Sequence, residues 1–390
     1  MTQETIDDAV KPKLAGNPPV GKESLEKEAR VFVASQWQLM WWRFSAHKVA
    51  LFSGIVVVLI YLVAVFAEFL APYLPDEVNA KLLYAPPQTL YLFDTENGLK
   101  FDPHVYGYKS VVDIAAGRRT FTVDKTQKIP VGFFVKGAPY QLFGFIPSDI
   151  HLIGPKEKDQ PMYLVGADRL GRDMLTRMIY GTRISMSIGL VGVVISLILG
   201  VLLGGLSGFY GGVIDNLIQR VIEFLRSIPT IPLWMGLAAA LPMNWPPERI
   251  YFGITIIISL IGWTGLARVV RGRFLAMREE EFVMAAELDG ASTLRIILRY
   301  MVPSFLSHII ASTTLAIPAM ILAETSLSFL GLGLRPPVVS WGVLLKDAQS
   351  VRSVLQAPWQ LWPAALVVVS VLALNFLGDG LRDAADPYAR

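Results

Sequence analysis

Between Ile184 and Leu206 the chain runs for 23 residues without one charged side chain. About 20 such residues, coiled as a helix, cross roughly 30 Å of hydrocarbon. Lipid offers backbone amides no hydrogen-bond partner, so a stretch buried there has to be helical or part of a closed barrel. The run has company. Val49–Leu70 has Glu68 as its only charge, Ile250–Ala267 and Pro358–Leu377 have none, and Pro303–Ala323 has His308 as its only titratable group. A sixth run, Ser227–Leu241, is too short alone and has to borrow the preceding turns. Those turns carry Arg220, Glu223 and Arg226 at three-residue spacing. Charge facing lipid is costly, so that face is expected at an interface or against other helices. Of 390 residues 53% are hydrophobic and 17% charged, against about 25% charged in soluble domains. The expected fold is an all-α polytopic membrane protein with six transmembrane helices.

The same composition excludes an ordinary cytosolic enzyme and a mainly disordered chain. No cysteine is present, which removes a disulfide scaffold, a thiolate metal site and a cysteine nucleophile. His47, His104, His151 and His308 lack metal-ligand spacing. A net charge of +3 argues against nucleic acid, which calls for a basic patch. Gly16–Glu23 nearly spells a phosphate-binding loop, but Glu23 stands where a hydroxyl is needed and no strand precedes it. No nucleophile–base pair is legible. The first apolar run is too long for a removable signal and lacks a small-residue cleavage site.

Short flanking segments set orientation. Arg43 and Lys48 precede the first span, and Arg268, Arg271, Arg273, Arg278, Arg295 and Arg299 lie between the fourth and fifth. Both places read as cytoplasmic, and an even number of spans puts both termini there. The expected division is a polar, partly disordered tail over 1–45, a first span over 46–71, an external segment over 72–183, a core over 184–380 containing a cytoplasmic loop at 272–302, and a short tail over 381–390. The external segment alternates turn signals with short aromatic and β-branched runs: Thr89–Phe93, the hairpin dipeptide Asn97-Gly98, Ser110–Ile114, Thr120–Val123, Val131–Val135 and Tyr140–Ile146. This predicts a small β-rich insert. Without disulfides such a piece has only a marginal core, so it should lean on the bundle's outer mouth or on a partner. Its tyrosines and phenylalanines (Tyr84, Tyr91, Phe93, Phe101, Tyr106, Tyr108) could supply a docking platform.

Within the bundle, Gly200, Gly204 and Gly208 form a small-residue stripe that lets helix backbones approach. Pro229, Pro232 and Pro318 are expected kinks. The most unusual cytoplasmic stretch is Arg278–Ser304. Glu279–Asp289 reads as a helix, Gly290 as its left-handed cap, Ser292 as the N-cap of a second helix over Thr293–Tyr300, and Pro303 as the opening of the fifth span. Its shape alone leaves a plain connector and a protein-docking element equally open.

This stretch resembles the EAA loop of ABC importer permeases: Met284-Ala285-Ala286, then Gly290, then Pro303, with Met284 in place of the pattern's glutamate. The resemblance continues elsewhere. Val165–Asp173 is similar to the G-T-D-x-x-G-R-D signature of dipeptide, oligopeptide and nickel importers, through Asp168, Gly171, Arg172 and Asp173. Gly208–Gly212, Ser326–Gly333, Pro336-Pro337, Trp341-Gly342 and Asn375–Asp383 with Asp386-Pro387 match further stretches in order, the last as in C-type subunits. Residues 1–45 and roughly 72–160 fall outside it.

The resemblance implies the ABC importer permease fold and a bacterial inner-membrane protein that is not itself an enzyme. Its partners would be a second homologous permease, two cytoplasmic ATPases and an extracytoplasmic solute-binding protein. ATP and Mg would sit on the ATPases, with no cofactor in this chain. Coupling is expected through Glu281, Ala285, Ala286, Asp289, Gly290 and Ser292. Peptides are the expected cargo; oligosaccharides and nickel chelates are alternatives. An ion-coupled secondary transporter is the rival class, disfavoured by the lack of an internal repeat and of midspan charge.

Overall fold

The computed structural model describes residues 35–94, 100–113, 118–157, 160–242 and 244–385. The phosphate-loop look-alike, the polar tail before residue 35, Asn97-Gly98 and Asp386-Pro387 lie outside these residues. Among the described residues, five helices are long and apolar enough to cross a membrane, and a bent pair could make a sixth.

A short helix, α1 (Gln36–Ala46), opens with a capping box between Ser35 and Gln38 and leads into α2 (Lys48–Val65). The second long helix, α3, runs over Met174–Tyr210. Its 37 residues span about 55 Å, so it projects well past the hydrocarbon. The expected start at Ile184 is therefore ten residues late. Hydropathy sees only the uncharged part, whereas the first three turns carry Arg177 and Arg183, each paired with a carboxylate.

The third expected span is not one straight helix. It divides into α4 (Gly212–Ser227) and α5 (Thr230–Ala239), which meet at 89°. Pro229 stands at the break and cannot continue the hydrogen-bond ladder. Arg220 pairs with Glu223 on the exposed face of α4 at 2.8 Å. Next comes α6 (Pro247–Met277), then α7 (Glu281–Leu288), α8 (Leu306–Phe329), α9 (Trp341–Asp347) and α10 (Trp362–Ala385). Pro303 does not open the fifth span. It sits in a separate turn over Val302–Ser304, and α8 starts after a break at Phe305.

Two apolar clusters unite the long helices. Ile188 and Val193 of α3 pack with Ile254, Ile257 and Ile258 of α6 and with Met320, Ala323 and Leu327 of α8. Val57 of α2, Met186 of α3, Ile321 of α8 and Leu374 of α10 form the second, with Trp341. The glycine stripe on α3 faces α6 of the same chain: a Cβ at Gly200 would meet Leu266, one at Gly204 the Ala267 backbone, one at Gly208 Phe274 and Arg271. Phe44, Ala50 and Ala384 pack together, so α1 and the end of α10 share the α7 end of the bundle.

At the opposite end stands an antiparallel meander in the order β1 (Tyr91–Asp94), β2 (Lys100–Asp113), β3 (Arg118–Leu142), β4 (Ile146–Pro155). The β reading of the insert holds, with longer strands than the sequence runs suggest. β3 alone covers 25 residues, pairing with β2 through its first half (Val105↔Ile129) and with β4 through its second (Phe133↔Ile153). The sheet leans on its own chain. Val105, Ile129 and Val131 bury against Met162, with Tyr73 and Leu90 beside them. Gln88 donates to the carbonyls of Tyr106 and Pro161 at 2.9 and 3.3 Å.

Candidate functional site

Two places gather the residues singled out by sequence. The first is the loop before α3. Asp168 is its hub. Its Oδ1 accepts from the backbone amides of Leu170 (2.8 Å) and Arg172 (3.0 Å). Its Oδ2 accepts from Arg172 Nε (2.8 Å) and from Arg177 (2.6 Å). Asp347, at the end of α9, approaches Arg177 at 3.5 Å, Arg169 at 3.6 Å and Arg172 at 3.8 Å. Gly171 makes the turn at φ +74°, and a Cβ there would strike the Asn79 carbonyl. Trp359 donates to the Ala167 carbonyl at 2.9 Å. This ion-paired turn is buried: Asp168 and Arg177 are each 1% exposed.

Asp173 takes no part in the ion pairs. It caps α3 by accepting the Thr176 amide at 2.7 Å. Burial pushes its carboxyl up to about 7, against the opposing pull of the Thr176 hydrogen bonds. A carboxyl raised in this way takes up a proton in the folded chain more readily than in the unfolded one. Its contribution is favourable at acid pH and is lost as the pH rises towards 7. Asp173→Asn keeps a capping oxygen and removes the charge. It is expected to raise the unfolding temperature at pH 8 and to leave it unchanged at pH 4, in parallel thermal melts of the purified protein.

Three groups of this end were not picked out from sequence. Arg177 and Asp347 are two; Glu324 of α8 is the third. Glu324 lies fully buried one residue past the expected span and is held by serines: Ser340 at 2.7 Å, Ser328 at 2.8 Å and Ser185 at 3.4 Å. Ser185 also receives the Trp341 amide at 3.1 Å, so one polar knot ties α3, α8 and α9. The legible signal was a carboxylate closely followed by Ser326 and Ser328 at an apolar helix end. The lone charge of the first span, Glu68, is held by Arg183, whose Nε also donates to the Ala64 carbonyl at 2.8 Å.

The second place is the turn after α7. Gly290 adopts φ +74°. Its amide donates to the Glu287 carbonyl at 2.9 Å, and the Ala291 amide donates to Ala286 at 3.1 Å, the paired bonds of a glycine-capped helix end. Val283 and Ala286 bury against Phe274, Ile296, Ile297 and Met301. Glu281, Ala285, Asp289, Gly290 and Ser292 face outward. Ser292 stands at the next N-terminus, but its side chain makes no capping bond. The expected second helix is Thr293–Arg295 followed by a π-helical turn, Ile296–Met301, which turns the chain ahead of Pro303. Tyr210 and Thr293 share a hydrogen bond of 2.9 Å that ties this turn to α3. Among these outward residues stand uncovered apolar side chains: Leu288 is 89% exposed, with Phe282, Met284 and Leu294 also exposed.

Neither place offers a nucleophile–base pair; the first is a buried brace and the second an exposed, glycine-capped corner. Residues 175–390 match the family described as binding-protein-dependent transport system inner membrane component. Residues 35–87 match the N-terminal TM domain of oligopeptide transport permease C. The sheet falls between these matches. The oligopeptide transport system permease protein OppC of Salmonella typhimurium is 39% identical over 262 residues, 67% of this chain and 84% of that protein. OppC of Escherichia coli K12 is 38% identical over the same length. The dipeptide transport system permease protein DppC of Bacillus subtilis is 39% identical over 227 residues, 58% of this chain and 68% of that one. With its apolar helices, its signature loop and its capped corner, this multi-pass chain belongs to the family of inner-membrane permease components of binding-protein-dependent ABC transport systems.

Proposed function

We propose that the chain is the C-type permease of an ATP-driven peptide importer. It pairs with a homologous permease to enclose a pathway. Two ATPases, which carry the ATP and Mg, dock on the α7 corner from the cytoplasm, and a solute-binding protein delivers peptide at the sheet end. Both termini then lie on the cytoplasmic side. Peptide cargo is supported by the names of the relatives, and sidedness by the arginines at the α7 end. The observation that carries the coupling role is the corner itself, a glycine-capped turn with Leu288 and Met284 uncovered beside it. Nucleotide binding would draw the two corners together and shift a two-state bundle outward, to the extent that the ATPases bind nucleotide differently in the two states.

Gly290→Val tests this. A Cβ at Gly290 has nothing within 4 Å, so the substitution acts through backbone strain of about 1–2 kcal/mol and not through a clash. In the complete reconstituted transporter we expect normal insertion and assembly, with peptide uptake and peptide-stimulated ATP turnover reduced about tenfold. Uptake and turnover at the parental level would reject the coupling role. Uptake of another cargo with no competition from peptides would reject the peptide reading alone.

A further inference from the structure

The far half of the sheet carries an apolar surface that neither family match includes. From Val131 to Ile150 the chain has Lys136 and Asp149 as its only charges. Phe134 and Phe145 are 66% and 73% exposed; Phe143 and Ile146 are more than two-fifths exposed. Phe134 and Phe143 both adopt φ +55°, a conformation unfavourable for bulky side chains. Two aromatic rings are therefore held outward at a conformational cost, in a sheet whose other face has its own buried core.

Their depth is set by α2. The Phe143 ring lies 5.7 Å from Phe66, the residue that ends α2, and the Phe134 ring lies 6.0 Å from Phe69 one turn later. His151 of β4 stands with Nδ1 2.5 Å from the Ala71 carbonyl oxygen and Nε2 3.0 Å from that of Ala138, and whichever nitrogen carries the proton donates, which seats the ring between β3 and the segment that leaves α2. On α2 itself Phe52, Ile55, Val58, Leu59 and Leu62 are exposed. This face of a spanning helix runs without a break, through Phe66, into the rings of the hairpin.

We propose that the β3–β4 hairpin is a membrane-surface anchor: its Phe134, Phe143 and Phe145 edge lies in the headgroup–acyl boundary of the leaflet at the sheet end, beside the exit of α2. Phe and Leu side chains form the buried face of interfacial elements, and an apolar edge sunk about 5–10 Å into the boundary holds an element to the surface without spanning it. Lys136, exposed at the same edge, can extend its ammonium to lipid phosphate while its stem covers apolar surface. The occupant is phospholipid, because the patch continues the apolar outer face of a membrane helix. The inference needs only membrane insertion and is independent of cargo and coupling.

The natural absence of cysteine makes the test direct. Phe145→Cys and, separately, Ile146→Cys are spin-labelled in the complete transporter in lipid nanodiscs, with Val123→Cys, 64% exposed on the first half of β3, which pairs with β2, as the aqueous control. Collision with oxygen, which concentrates in lipid, is compared with collision with a water-soluble nickel chelate. The ratio of oxygen to nickel accessibility should be several-fold higher at both hairpin positions than at Val123. Equal ratios would place the edge in water and overturn the anchor. Protection from both reagents would show a protein partner on this edge, such as the second permease or the solute-binding protein, and would overturn it as well. Two reporter positions guard against one failing to assemble.

Discussion

Asp168→Ala is expected to lower the stability of the purified chain by about 3–5 kcal/mol, the scale for removing one partner of a buried ion pair. The reason is the number of donors left behind. Asp168 accepts two backbone amides and two guanidinium groups. Without it, Arg172 and Arg177 face each other near the bundle end with Asp347 as the remaining anion, at 3.8 and 3.5 Å. Buried guanidinium groups without adequate counter-charge are costly. Asp168→Asn retains an acceptor for the two amides and should lose less. Combining Asp168→Asn with Arg177→Met removes a charge of each sign and should recover part of the loss. Thermal unfolding in detergent, followed by aggregation-state chromatography, reads the series. An Asp168→Ala protein as stable as its parent would show that this loop does not brace the bundle.

The second large effect is expected on the α3 stripe. A Cβ at Gly204 would sit 2.8 Å from the Ala267 Cα and still closer to its carbonyl oxygen. Backbone cannot swing aside as a side chain can, so Gly204→Val must push α3 and α6 apart. Overpacking typically costs 1–3 kcal/mol, and a rigid obstacle puts this site at about 3 kcal/mol. The same stripe supplies its own controls. At Gly200 the obstacle is the Leu266 side chain at 2.9 Å, and at Gly192 it is Ser259 Oγ at 3.4 Å, an ordinary contact. The expected order of damage is Gly204→Val, then Gly200→Ala, then Gly192→Ala, measured as the folded yield and melting temperature of each variant. Equal behaviour of the three would mean that the two helices do not pack through this stripe.

The corner after α7 was legible because its signals are local: Gly290 marks a left-handed cap wherever the helix before it ends. The buried brace was only half legible. Asp168 and Arg172 lie in one short motif, but Arg177 belongs to a helix that hydropathy starts at Ile184, and Asp347 is 170 residues further along the chain than Arg177. Glu324 escaped for a related reason. The span was ended at the last apolar residue, although three serines from three segments make the next position habitable for a carboxylate. Of the six aromatic residues proposed as a docking platform, Tyr106 and Tyr108 are instead half-buried in the sheet's own ring contacts. The exposed rings beside α2 lie elsewhere, at Phe134, Phe143 and Phe145.

By itself the sequence determined the class of the fold, the number of long apolar segments, the β character of the insert and the position of the capped corner. All four follow from short-range rules: hydrocarbon demands an unbroken apolar helix, alternation makes a strand, and a glycine ends a turn. Only the tertiary structure decided the 89° break between α4 and α5, the ten residues, Arg177 and Arg183 among them, that lengthen α3, the meeting of Asp168, Arg177 and Asp347, and the rings laid against the end of α2. A charge or an aromatic ring has no fixed meaning along the chain. Its energy depends on which groups packing brings within a few ångströms, and that distance exists only in three dimensions.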